Sequence, residues 1–171
     1  MREMTGSTVL ALVRTLRPED AAAWHVLQEG IYREEQWFVG DSPPSVEALN
    51  RKLMAVDARF ELYLGALAGS ALAGWLELHR YTALRLSHVA VLTLAVALPY
   101  RRQGLGRRLL QEAYRWARRV GVEKLQLSVR ATNLAAQALY QAEGFAEEGR
   151  EARQIRQGDR YEDNLLMAKF L

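Results

Sequence analysis

Thirteen residues constrain this chain more than any others: Leu94-Ala95-Val96-Ala97-Leu98-Pro99-Tyr100-Arg101-Arg102-Gln103-Gly104-Leu105-Gly106. The aliphatic and β-branched run Ser87–Val96 reads as a central strand buried on both faces. It enters an Arg-rich turn, and two glycines then open a helix. Apolar residues at Leu105, Leu109, Ala113, Trp116, Ala117 and Val120 form one stripe, so the helix runs from Gly104 to Val120 and stops at Gly121. A buried strand feeding a helix through a glycine turn demands an α/β domain. It also places the free N–H groups and positive dipole end of the helix beside the strand's end, which is an anion site. Gly104 and Gly106 lack Cβ, so a phosphate can approach the backbone closely. Arg101, Arg102, Arg107 and Arg108 add charge.

The remaining pattern supplies the frame. Val9–Arg14 reads as a first strand. Pro18-Glu19-Asp20 starts a helix to about Tyr32, and Ser45 caps a second through about Val56. Phe60–Leu67 and Ala71–His79 form a hairpin around Ala68-Gly69-Ser70. Lys124–Arg130 alternates as a half-buried strand, Asn133–Ala142 is a helix stopped by Gly144, and Phe145–Arg153 and Tyr161–Phe170 are closing strands. The order β-α-α-β-β-β-α-β-α-β-β is that of one mixed α/β domain over 1–171, with about seven strands in a mostly antiparallel sheet and four helices.

Composition narrows the chemistry. The chain has no Cys, which excludes a disulfide framework, a Cys-ligated zinc and a thiol nucleophile. Its histidines are His25, His79 and His88, none at i, i+4, so no helical two-His metal site is written and no metal is expected. The apolar stretch His88–Tyr100 is about half a membrane span, and the N-terminus lacks signal-peptide features. A cytoplasmic protein without membrane contact is expected. The formal charge is +3, yet Arg101–Arg119 alone carries seven Arg against Glu112. No base-stacking aromatic run accompanies that cluster, so no nucleic acid is expected. The loop lacks the Lys-Ser/Thr ending of a nucleotide P-loop. Leu109 stands where a dinucleotide loop needs its third glycine.

What the loop does resemble, as Arg101-x-x-Gly104-x-Gly106, is the pyrophosphate loop of the GCN5-related N-acetyltransferases (GNAT). Asn133-x-x-Ala136-x-x-Leu139-Tyr140, followed by Gly144-Phe145, is similar to that family's second motif. Asn133, Ala136 and Tyr140 share one helix face at i, i+3, i+7. The tail from Glu147 through Gly158-Asp159-Arg160-Tyr161 to Ala168 looks like the final hairpin of the branch with small-amine, amino-acid and ribosomal-protein acetyltransferases.

The resemblance implies a sheet splayed at strands four and five, with acetyl-CoA between them. The Leu94-Ala95-Val96 backbone would bond the pantetheine through Leu94 and Val96. Amides from Arg102 through Gln103, Gly104, Leu105 and Gly106 to Arg107 would cradle the pyrophosphate. Asn133 would bond the pantetheine region, Ala136 would leave room for it, and Tyr140 would sit by the sulfur. An amine then attacks the thioester directly, with the Val96 amide at the oxyanion and Tyr140 as proton donor. Many members carry a proton-accepting Glu on strand four. Here those positions are Ala90 and Val91. Glu77, on strand three, is the preferred substitute, with His79, His88 or an ordered water behind it. Glu29, Glu34 and Glu35 read as attraction for the amine or as plain surface, and Trp37 and Phe38 as acceptor lining or packing. The acceptor expected first is a small-molecule or amino-acid amine, with a protein N-terminus or a catalytically weak CoA-binding module as alternatives. A homodimer through the last strands is plausible.

Overall fold

The computed structural model describes residues 12–34, 37, 38, 40 and 42–171. The expected strand residues 9–11, and Glu35, lie outside them.

Seven strands form one sheet in the order β1-β2-β3-β4-β5-β7-β6. β1 (Leu12–Thr15), β2 (Glu61–Ala68), β3 (Ala71–Arg80) and β4 (Val89–Val96) run as antiparallel neighbours. β5 (Lys124–Arg130) lies parallel to β4, and β7 (Arg160–Phe170) and β6 (Ala146–Gln157) complete the sheet antiparallel. Four helices cover it: α1 (Ala21–Tyr32), α2 (Val46–Met54), α3 (Leu105–Arg119) and α4 (Leu134–Ala142). This is the predicted element order.

Alternation along β3 divides the core into two layers. Leu76 and Leu78 point to one face, with Leu109, Leu110, Ala113 and Ala117 of α3 and Tyr140 of α4. Trp75 points to the other, with Trp24, Leu27 and Ile31 of α1 and Leu49 and Leu53 of α2.

The local departures have physical causes. Pro18–Asp20 is a 3₁₀ turn, and the α-helix begins only at Ala21. Asp20 is engaged by the Arg14 guanidinium at 2.6 Å and the Arg17 N–H at 2.8 Å, which stabilises a tight turn. Ser45 Oγ accepts the Ala48 N–H at 3.2 Å and caps α2 as expected. β6 extends to Gln157, beyond the expected Arg153, because a bulge between Glu151 and Ile155 lets the strand resume its pairing with β7.

β4 departs most instructively. It is not buried on both faces: Val89, Ala90 and Leu92 are buried, but Thr93 to Val96 are half-buried. The pairing with β5 stops at Val91 and Gln126. Beyond that register the strands part, as the resemblance implied, and the gap opens the second half of β4 to a cleft.

Candidate active site

The cleft has a volume of about 1700 Å³. One wall is the second half of β4 with the turn into α3. The opposite wall is the end of β5 with α4, and the far rim is built by Trp37, Phe38 and the β6–β7 pair. Except for Gln103, every residue expected to hold acetyl-CoA lines it: Leu94, Ala95, Val96, Arg101, Arg102, Gly104, Leu105, Gly106, Arg107, Asn133, Ala136 and Tyr140. Gln103 instead donates to the Pro99 carbonyl at 3.0 Å and stiffens the turn.

The two glycines serve different ends. Gly104 is the N-cap of α3 with φ +80° and open space where a Cβ would stand, so backbone conformation is its requirement. Gly106 is helical and buried, and a Cβ there would come 2.8 Å from Leu139 Cδ2. Its smallness lets α4 pack against the start of α3. Of the two glycines, Gly104 keeps open space toward the cleft, whereas Gly106 is packed against Leu139 of α4. Arg102 adopts φ +62°, a left-handed residue that bends the loop round the helix start.

Nor are all four arginines uncommitted cations. The Arg101 guanidinium grips the Glu34 carboxylate at 2.6 and 2.8 Å, and its Nε donates to the Val96 carbonyl at 2.8 Å. Arg107 Nε donates to the buried Glu143 at 2.6 Å. With Arg101 and Arg107 neutralised in this way, what the turn offers toward an anion is chiefly the backbone N–H groups and dipole end at the start of α3. Glu34, expected as surface or amine attraction, is a structural partner instead: it also accepts the Trp37 indole N–H at 2.8 Å.

Asn133 Oδ1 accepts the Ala136 N–H at 3.1 Å and caps α4, so its carbonyl is committed to the helix while its side chain borders the cleft. Tyr140 is buried, tilted against Phe145 at 5.6 Å between ring centroids. Desolvation pushes its phenol well above the ordinary tyrosine value. Such a phenol stays protonated at neutral pH and can donate.

Glu77 stands apart. It pairs across the sheet with Thr93 of β4, which lines the cleft, but Glu77 itself does not. Its carboxylate meets Lys52 Nζ at 2.9 Å and His79 Nε2 at 3.3 Å. Burial pushes it up, but the His79 hydrogen bond and the Lys52 charge outweigh burial and leave it below the usual Glu range. His79 belongs to this ion-pair group with Glu61. His88 is exposed and also off the cleft. Val91 lines the cleft with an apolar side chain.

Sequence reasoning named Trp37 and Phe38 but missed Arg130 and Glu151 on the same rim. Arg130 is buried, donating to Glu162 at 3.3 Å and to the Phe38 carbonyl at 3.2 Å, while its Nε has no partner. Phe38 stacks between Tyr32 and Trp75, at 5.1 and 5.6 Å. Trp37 and Phe38 thus both pack and line the cleft. Glu151 of β6 also lines it. No local spacing announces any of these roles.

Comparison with known proteins agrees with this geometry. Residues 22–145 match the model of the acetyltransferase (GNAT) family. The chain is 38% identical over 123 residues to N-alpha-acetyltransferase RimI of Mycobacterium tuberculosis, covering 72% of this chain and 74% of that one. It is 40% identical over 83 residues to the [Ribosomal protein bS18]-alanine N-acetyltransferase of Escherichia coli, covering 48% of this chain and 56% of the relative. The crystal structure of a GNAT-family acetyltransferase from Streptococcus pneumoniae superposes with a TM-score of 0.87 at 28% identity, over 94% of this chain and 99% of that one. The chain, with its splayed strands, glycine-started helix and Asn133–Tyr140 face around one cleft, therefore belongs to the GNAT family of acetyl-CoA-dependent N-acetyltransferases.

Proposed function

We propose that this enzyme transfers the acetyl group of acetyl-CoA to the α-amine of a protein or peptide N-terminus, the alternative reading of the sequence rather than the small-amine one. The observation that carries this is the shape of the acceptor rim. Arg130, Asn164 and Glu151 lie side by side across β5, β7 and β6 by register. Trp37 and Phe38 face them across the cleft. An extended chain has a floor to lie on, whereas a small amine needs an enclosed pocket. The names of the two relatives, an N-alpha-acetyltransferase and a ribosomal-protein alanine acetyltransferase, support the same reading.

Acetyl-CoA supplies the activated thioester. The residues at the start of α3 bind its phosphates by backbone N–H groups, and the exposed edge of Leu94 to Val96 orients the arm. The Val96 N–H is assigned to the developing oxyanion. Tyr140, kept neutral by burial, protonates the departing thiolate, and the proton released from the amine nitrogen as the amide forms restores the phenol. An α-amine with a pKa of about 7.7–8.0 is roughly a tenth to a sixth unprotonated at pH 7. A strong base is therefore not required. The ionised Glu77, one strand behind Thr93, contributes negative potential rather than direct proton abstraction.

The test offers acetyl-CoA with peptides bearing a free N-terminal alanine, the same peptides blocked at the N-terminus but containing Lys, and free amino acids. Free-amine peptides should exceed the others by at least about tenfold in kcat/KM, about 1.4 kcal/mol of transition-state binding. Faster turnover of free amino acids would return the function to small amines.

A further inference from the structure

We infer that Glu151 reads the charge of the acceptor chain, selecting N-termini that carry a Lys or Arg about three residues from the acetylated amine. This rests on the protein N-terminus reading.

Among the described residues, Glu151 is the one carboxylate that lines the cleft. The bulge that follows it is a built feature. Arg153 takes φ +53°, its N–H donates to Asp163 Oδ1 at 2.8 Å, and its guanidinium lies 4.1 Å from the Tyr161 ring centre. A non-glycine residue in that conformation costs free energy, and bulges re-aim side chains beside sites. Here the residues on both sides of the bulge, Glu151 and Ile155, face the cleft together with Gln154. Asn164 Nδ2 donates to Glu151 Oε2 at 3.0 Å and fixes its orientation.

Neighbouring arginines do not cancel this charge by contact. Arg130 is bound to Glu162, and Arg150 to Asp163 at 3.1 Å. At the cofactor end, Arg101 and Arg107 are paired with Glu34 and Glu143, and Arg102 lines the cleft on the loop side, away from β6. A cationic side chain lying on the rim therefore meets one oriented carboxylate.

Register sets the reach. Arg130 pairs with Asn164, and Asn164 with Glu151. Glu151 thus lies two strand spacings from β5, about 10 Å. An extended peptide advances about 3.3–3.6 Å per residue. With its amine in the gap between β4 and β5, at least half a spacing further away, its fourth residue, three on from the acetylated one, arrives opposite Glu151.

The experiment uses pentapeptides with a free N-terminal alanine, placing Lys or Glu in turn at positions two to five. It reads kcat/KM for the wild type, Glu151→Gln and Glu151→Lys. The wild type should favour Lys over Glu by about fivefold, most at position four, and the preference should fade with added salt. Glu151→Gln should abolish the preference and Glu151→Lys should invert it, with acetyl-CoA affinity unchanged. Peptide acetylation with the same Lys-to-Glu ratio in wild type and Glu151→Gln overturns the role of Glu151 and leaves the N-terminal reading standing. Acetylation of free amines but no peptide overturns both. Should neither variant fold, a wild-type ratio indifferent to salt and to Lys position is sufficient to overturn the proposal.

Discussion

The two halves of the cleft are built by opposite means. The cofactor half is local: a strand end, an eight-residue turn and a helix start lie within Leu94 to Gly106, and the polar groups the helix start offers are largely backbone. The acceptor half is assembled from distant segments. Glu34 meets Arg101 across 67 residues, and Arg130 meets the Phe38 carbonyl across 92. Backbone recognition tolerates side-chain drift so long as the turn keeps its shape. Side-chain recognition changes with every rim residue. A fold divided in this way can keep one donor while its acceptors vary.

The largest expected effect lies where the halves meet. Tyr140→Phe should lower kcat by about 10²–10³-fold, the usual scale of a lost proton donor, while acetyl-CoA binding measured by calorimetry stays within about twofold. The ring still fills its site against Phe145, so folding should survive. Unchanged turnover with the best acceptor removes Tyr140 from the chemistry and leaves the cofactor half purely a binding device.

The second effect tests whether the halves are independent at all. Glu34 joins them, since it holds Trp37 of the acceptor rim and Arg101 of the phosphate loop. Glu34→Gln and Arg101→Gln should each raise the acceptor KM. Their double mutant should lose less than the sum, with a coupling of about 1–2 kcal/mol, as expected of partners in direct contact. If the acceptor KM is unmoved and only acetyl-CoA affinity falls, the bridge serves the cofactor half alone.

The same contrast explains what could be read in advance. Gly104, Gly106 and the i, i+3, i+7 face of Asn133, Ala136 and Tyr140 carry their meaning in short spacing, because a positive φ and a helix face are local properties. The element order followed from apolar periodicity for the same reason. The partners of Arg101 did not: the same loop with an unpaired arginine has an identical local sequence, and only the packing of α1 brings Glu34 to it. Glu151 was hidden by the bulge, since a strand read as ending at Arg153 does not reveal which face its last residues present. β4 misled in a third way. An apolar run signals burial, but cannot distinguish protein on both sides from a cleft that takes an apolar arm.

The smallest effect concerns Glu77, placed on the acceptor face yet off the cleft. If it acts through its field alone, Glu77→Gln should leave the acid limb of kcat/KM where it was, governed by the amine's own titration. A shift of about one pH unit would make Glu77 the proton acceptor after all. Stability gives the complementary reading. The carboxyl is held below its ordinary value because the His79 hydrogen bond and the Lys52 charge together outweigh the desolvation that pushes it up. A lowered folded-state value stabilises the native protein above the unfolded-state pKa of Glu, and that contribution is lost as pH falls through the folded value. Melting temperatures of wild type and Glu77→Gln should therefore differ most at pH 6–7 and converge as the pH falls through the lowered folded-state value, below which the Lys52 pairing is gone. A gap that never narrows on acidification, down to the pH at which the native protein unfolds, would mean that the glutamine destabilises by packing alone, and that the Lys52–Glu77 pair contributes nothing to keeping α2 on the acceptor face of the sheet.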